Sequence, residues 1–326
     1  MDRFLSIQAF VRVAEAESFV EAARQLGVAN SVVTQRIKQL EEFIKTPLFH
    51  RSTRSVKLSE IGAEYYKECA ELVARLDGLT DQMREIKGSP TGTLRLTVLP
   101  GFALGHLSGV LHQYQERYPD IFLEIFVNDR VVDPVETGFD VALQLFEPAS
   151  EALIARRIFP VRRMFLATPE YIARFGMPRR PEELLRHRLG VYDGYPTRNH
   201  WQFSRGKKKV DIDLPAHLRT NSVQLLKEHA LAHAAVVCIP TIAAADDIIA
   251  GRLTPVLYGY RLSSFWLSAV YPTTHRYSVK VKLFVDFIQE KFAGEPLWDH
   301  LLKTNGFLPH DDVTRGADPP LVDAAG

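Results

Sequence analysis

The stretch SFVEAARQLGVANSVVTQRIKQLEEFIKTPLFHRSTRSVKL, Ser18 to Leu58, decides how this chain folds. Ser18 is placed to N-cap a short helix, and Glu21, three residues on, completes a capping box. Ala22, Ala23 and Leu26 follow at helical spacing and are compact enough for another helix to cross closely. Gly27 supplies the turn that ends the helix. A second helix is expected to start near Asn30 or Ser31, both good N-cap residues. Its apolar side is Val33, Ile37, Leu40 and Ile44; the opposite side shows Ser31, Thr34, Gln35 and Lys38, with Arg36 on the flank. That is the pattern of a helix-turn-helix whose second helix offers donors and acceptors to base edges.

Beyond Pro47 the chain turns strand-like and basic, which suits a winged hairpin carrying Arg51, Arg54 and Lys57 to the phosphate backbone. From Arg24 to Lys57 the balance of charge is +5, while the whole chain carries only +1. Charge gathered on one segment is the electrostatic footprint of a duplex binder. An ordinary helical pair with a solvated polar face would explain the two helices, but not the basic wing that follows them.

Residues 1 to about 88 resemble the DNA-binding head of the LysR-type transcriptional regulators. The resemblance rests on Phe10 with Val13-Ala14-Glu15, on Ser18-Phe19, Ala22-Ala23, Leu26 and Ser31, and on Ile37 with Leu40-Glu41. Leu48-Phe49, Arg51, Leu58-Ser59 and Gly62 complete it. It implies that the second helix lies in the major groove and that the wing touches the flanking backbone. Asn30, Ser31, Thr34, Gln35, Arg36, Lys38, Arg51, Arg54 and Lys57 are the expected contacts to double-stranded DNA, with RNA polymerase as a further partner.

At 326 residues the chain has room for two or three domains. With 46% hydrophobic and 24% charged residues the composition is that of a soluble globular protein, and no apolar run is long enough to span a bilayer. The N-terminus does not read as a signal peptide, and the two cysteines, Cys69 and Cys238, stand far apart, so a reducing cytoplasm is expected, without a cysteine metal site. The first helix should bury Ile7, Phe10, Val11 and Ala14. Between Ser59 and Lys87, the residues Tyr65, Cys69, Leu72, Leu76, Leu79, Met83 and Ile86 recur at alternating steps of four and three. This reads as a coiled-coil seam that pairs two copies of the chain into a homodimer or homotetramer; packing on the chain's own C-terminal half is the alternative.

Gly88-Ser89-Pro90-Thr91-Gly92 marks a boundary, after which strands and helices alternate. This argues for parallel, doubly wound α/β sheets with a cleft between two subdomains. Residues 93 to about 293 resemble the effector domain of the same family, similar to periplasmic binding proteins. The expected division is a winged helix-turn-helix over 1–58, a linker helix and hinge over 59–92, and an effector domain over 93–293. Within the latter, 93–163 with 269–293 forms one subdomain and 164–268 the other; a mobile extension over 294–326 follows. The chain would cross between subdomains near Phe159–Met164 and return near Ser268–Pro272. It departs from the family pattern at Ala232-His233-Ala234-Ala235, where many members carry a glycine-rich turn, and at Gln144 and Phe146.

Strand ends and helix starts place Pro100, Gly101, Phe102, Asn128, Phe146, Asn221 and Ser222 near the cleft, with Trp201 and Phe203 as an aromatic wall. A small effector is expected there, an organic acid or an aromatic compound. His229 and His233 share a helical spacing that can hold zinc, but no third ligand is evident, and Lys207-Lys208-Lys209 reads as a solvated hairpin tip. With no nucleophile elbow, phosphate loop or dinucleotide fingerprint, neither catalysis nor a cofactor or metal is expected. The competing reading is an enzyme or transport binding protein of the same fold, carrying an incidental helical head.

Overall fold

The computed structural model describes residues 2–51, 56–87, 90–146, 150–196 and 199–308. Three helices build the head: α1 (Arg3–Ala16), α2 (Phe19–Leu26) and α3 (Asn30–Ile44). Ser18 caps α2 by accepting from the Glu21 N–H, and Gly27 ends it at φ 64°, a left-handed position that glycine adopts without strain. The Glu21 carboxylate turns to Arg24 rather than back to the cap. The start of α3 differs from the sequence reading: its N-cap is Ala29, which offers no side-chain bond, so Asn30 and Ser31 sit inside the helix. The antiparallel strands β1 (Phe49–Arg51) and β2 (Val56–Leu58) form the wing.

The 28-residue helix α4 (Glu60–Lys87) leaves the wing along its own path. Its expected seam divides. Tyr65 stacks 5.6 Å from Phe10, and Cys69, with Ala70 and Val73, is buried in the head core. Leu72, Leu76 and Leu79 stay exposed at 62%, 43% and 48%. A heptad pattern reports an apolar stripe without saying what covers it, and here the head covers only its first part. On a further face, Gly78 lies so close to Tyr277 that a Cβ there would sit 2.5 Å from the Tyr277 carbonyl oxygen. An Arg276–Glu71 ion pair joins the same two segments. The side chains of Met83 and Ile86 lie outside the described residues.

The C-terminal half begins with β3 (Gly92–Val98) and a helix that runs through α5 (Pro100–Phe102), a π-helical turn (Ala103–Leu107) and α6 (Ser108–Arg117). Next come β4 (Ile121–Val127), α7 (Pro134–Thr137), β5 (Val141–Gln144) and β6 (Leu153–Val161). The chain then crosses at Arg162 into β7 (Arg163–Ala167), α8 (Pro169–Phe175) and β8 (Leu189–Tyr192). The hairpin β9 (His200–Arg205) and β10 (Lys208–Asp213) turns at Gly206, with its lysines exposed. It leads to β11 (Leu218–Thr220), α9 (Val223–Leu231), β12 (Val236–Pro240), α10 (Thr241–Ile249), β13 (Thr254–Pro255) and β14 (Arg261–Leu262). Finally β15 (Phe265–Pro272) returns to the first sheet, followed by α11 (Val279–Lys291) and α12 (Leu297–Thr304).

The first subdomain is built on the sheet β4-β3-β5-β15-β6, the second on β11-β8-β12-β7-β13, with β10-β9-β14 as a small third sheet. Neither large sheet is wholly parallel: β15 runs antiparallel to β5 and β6, and β7 antiparallel to β12 and β13. Two strands that cross between subdomains must enter each sheet against the direction of the βαβ units, which explains the mixture. The return crossing falls at residues 263–264, earlier than the expected Ser268–Pro272, because all of β15 belongs to the first sheet. The 294–326 extension is corrected over its first part. Helix α12 is packed, with Trp298 at 4%, Leu302 at 0% and Asp299 at 0% exposure; residues 309–326 lie outside the described residues. Among the described residues, no helix is long and apolar enough to cross a membrane.

Candidate functional site

Helix α3 is held on one side and open on the other. Val33, Ile37 and Leu40 are fully buried against α1 and α2, whereas Asn30, Ser31, Thr34, Gln35 and Lys38 are exposed and Arg36 is partly so. The Thr34 hydroxyl donates to the Asn30 carbonyl at 3.0 Å, which leaves its oxygen able to accept. Lys38 faces Glu42 at 3.8 Å, an exposed pair of little energetic weight.

The wing is fixed relative to this helix by a residue named above only as part of the family resemblance. The Glu41 carboxylate accepts from the backbone N–H of Leu48 at 2.9 Å and of Phe49 at 3.4 Å. Phe49 in turn packs on Phe10 and Phe19, with ring centroids 5.4 and 5.9 Å apart. The Ser59 hydroxyl donates to Pro47 O and accepts from Gly62 N, tying the start of α4 beneath the wing. Gly62 is there for room: a Cβ would lie 2.0 Å from the Leu48 carbonyl oxygen. Lys57 is exposed on β2, opposite His50. Of Arg51 only the strand backbone is described, and Arg54 lies outside the described residues.

The second site lies between the subdomains, a cavity of about 40 Å³. Leu99, Phe102, Phe159 and Leu267 line it from one side, and Tyr192, Tyr195, Val223 and Ile242 from the other, with Asp129 among them. Of the nine expected residues, Gly101 and Phe102 belong to this lining. Pro100 opens the helical turn that carries them. The other six lie outside it, for local reasons. The Asn128 Oδ1 accepts from Arg130 N to close its own turn, and Asp129 lines the cleft in its place. Phe146 packs edge-on against Phe265 at 4.8 Å, and its neighbour Leu145 lines the cavity. Trp201 and Phe203 alternate inward on β9 and bury against Phe165, at 5.0 and 5.6 Å, as core rather than wall. Asn221 is exposed, and the Ser222 hydroxyl is spent as the cap of α9, accepting from Leu225 N at 3.3 Å.

The polar groups of the cleft come from residues that the sequence did not single out. The Tyr192 hydroxyl donates to the Asp129 carbonyl at 2.6 Å, and burial pushes that phenol up to about 12. Tyr195 is 2% exposed, and among the described residues its hydroxyl meets no hydrogen-bond partner of good geometry; its ring stacks on Phe265 at 5.8 Å and lies 4.4 Å from the Arg163 guanidinium. Burial also raises the Asp129 carboxyl above its ordinary value. The end of β8 would have pointed to both tyrosines, had that strand been recognised.

The departures from the family pattern also find reasons. Gln144 is buried and bonds both ways to Val132, its Oε1 accepting from the N–H at 3.0 Å and its Nε2 donating to the carbonyl at 3.1 Å. His233 stands at φ 59°, a left-handed position that glycine fills more cheaply. Its Nδ1 lies 2.8 Å from the Thr168 hydroxyl, a contact that helps offset the strain, and it stands past the end of α9, off the helical spacing that would pair it with His229.

Comparison with known proteins places these two sites in one context. Residues 4–63 match the bacterial regulatory helix-turn-helix protein, lysR family, and residues 87–293 match the LysR substrate binding domain. The chain is 28% identical over 290 residues to the HTH-type transcriptional regulator PtxR of Pseudomonas aeruginosa, covering 89% of this chain and 93% of PtxR. It is 32% identical over 300 residues to the uncharacterized HTH-type transcriptional regulator YhjC of Escherichia coli, covering 88% and 97%. Among solved structures, CrgA of Neisseria meningitidis, a LysR-type transcriptional regulator, superposes with a TM-score of 0.57 at 28% identity, covering 89% of this chain and 99% of CrgA. The chain belongs to the LysR-type transcriptional regulators: a DNA-binding regulator with an N-terminal helix-turn-helix and a C-terminal effector-binding domain.

Proposed function

We propose that Ser31, Thr34 and Gln35 read base edges in the major groove, while Asn30, Arg36, Lys38, Arg51, Arg54 and Lys57 hold the phosphate backbone. The observation that carries this reading is the polarity of α3. Three fully buried side chains fix the helix, and the face turned away from them offers an amide and two hydroxyls. Gln35 can bond adenine in a bidentate manner. The exposed leucines Leu72, Leu76 and Leu79 support pairing with a second copy, which lets two heads address half-sites about one helical turn apart. The regulated partner is RNA polymerase, in the cytoplasm. A gel-shift titration against random and upstream genomic duplexes tests the reading. Selective retardation of one class of duplex is expected, and equal affinity for all would count against base reading.

The lining of the inter-subdomain cleft favours the aromatic effector over the organic acid. Among its described residues none is basic, and the carboxyl of Asp129 is raised by burial alone. A second carboxylate buried beside it would meet repulsion without a counter-charge. An apolar body with a hydroxyl or amine end would instead satisfy the Tyr195 hydroxyl and Asp129 together. Matched phenethylamine, phenethyl alcohol and phenylacetate, screened by protection of the cleft amides from hydrogen exchange, test this. Protection by phenylacetate alone would reverse the assignment.

A further inference from the structure

We propose that α12 and the residues that follow it to Leu308 form a strap across the hinge, one that holds the effector cleft narrow. The strap is fastened to both subdomains and to the crossing between them. On the first subdomain, Trp298 packs on His106 at 4.4 Å and edge-on against Phe159 at 5.2 Å. On the second, the Thr241 hydroxyl at the start of α10 donates to Asp299 Oδ1 at 2.7 Å, and the Tyr258 hydroxyl donates to the Gly306 carbonyl at 3.2 Å. Phe307 and Leu308 reach a separate pocket of about 90 Å³ that also involves Phe203 and Tyr260.

The crossing residue itself is gripped. Arg162 Nε lies 3.1 Å from Asp299 Oδ2 and its Nη2 3.6 Å from Glu295, which Lys303 also pairs at 2.5 Å. Thr241 N donates to the Arg162 carbonyl at 2.9 Å, so Asp299, Thr241 and Arg162 form one knot where the first crossing strand leaves its sheet.

The link to the cleft is direct. Phe159 touches Trp298 on one side and Phe102 on the other, at 5.4 Å, and both phenylalanines line the cavity. Ile242 lines it too, and its carbonyl lies 3.3 Å from His106 Nε2, beneath the indole that covers His106. At about 40 Å³ the cleft is well below the roughly 150 Å³ that a benzene-sized ligand occupies in an apolar cavity. Opening it means rotating the subdomains about 162 and 263–264, and a body anchored on both must then give way on one side. Effector affinity therefore includes the work of loosening the strap.

Hydrogen exchange on the full-length protein, read by mass spectrometry, tests this without any effector. Trp298→Ala should speed exchange on the order of tenfold in segments 99–107, 192–195 and 240–243, with 92–98 and 19–44 unchanged. Faster exchange confined to 295–308, or rising evenly across both sheets as for an ordinary core residue, overturns the proposal. Asp299→Asn, which keeps the packing volume, should move the same cleft segments by a smaller factor; no change in them overturns it as well.

Discussion

Asp299 makes a quantitative prediction, because its environment reverses the usual behaviour of a carboxylate. The group is fully buried, and burial outweighs the hydrogen bond from Thr241 and the charge of Arg162, so its pKa rises from 3.8 to about 6. A carboxyl raised on folding binds its proton more tightly in the native state. The stability this contributes is full below the unfolded value and is lost as pH rises through the folded one. With those two values, the contribution is on the order of 1 kcal/mol at pH 5 and close to nothing at pH 8, roughly a tenfold difference in the folded-to-unfolded ratio. Asp299→Asn keeps the side-chain volume and the acceptor for Thr241 but removes the titration. Urea unfolding followed by tryptophan fluorescence, with Trp298 adjacent, should show the parent chain gaining on the order of 1 kcal/mol relative to the variant on going from pH 8 to pH 5. Groups common to both proteins cancel in that difference. A difference that stays constant with pH within about 0.3 kcal/mol, or one of opposite sign, would mean that Asp299 does not gain a proton on folding in this range.

Three further outcomes follow from the geometry. Gly62→Ala puts a Cβ 2.0 Å from Leu48 O; a clash costing about 1–3 kcal/mol should exceed the gain in helix propensity of about 1 kcal/mol, lower the melting temperature and weaken binding to all duplexes alike. Replacing Leu72 and Leu79 together by Glu sets like charges in the paired stripe, and sedimentation should then show a monomer with weakened DNA binding; an unchanged mass would argue against pairing through α4. Lys57→Ala should reduce the dependence of log K on log salt by about 0.9 for each head, without altering base preference.

The head was legible because its signals are local and contiguous. Ser18, Gly27 and the Val33-Ile37-Leu40 spacing each act within a few residues, and the structure uses them as the sequence suggests. The C-terminal half was legible in class but less so in detail. Strand β6, Leu-Ile-Ala-Arg-Arg-Ile-Phe-Pro-Val, is interrupted by Arg156, Arg157 and Pro160, which an edge strand tolerates. Helix α12 hid behind Gly294 and Pro296 in a stretch that reads as a tail, although Trp298 and Leu302 supply its buried face. For the cleft, the expected residues were often one position off. Asn128 and Ser222 yield to Asp129 and Val223, because the turn or cap that marks a strand or helix end consumes a residue of its own, and Phe146 yields to Leu145 because its ring packs on Phe265.

Base reading by α3 is tested most sharply by selection from a randomised duplex library with the full-length protein and with Gln35→Ala. The parent chain should enrich an imperfect two-fold site with half-sites about one helical turn apart. The variant should recover the same spacing with preference lost at one base pair in each half, worth about 1–3 kcal/mol there. Enrichment of the same sequence by both proteins would contradict the reading of α3, and no enrichment by either would contradict sequence-specific recognition altogether.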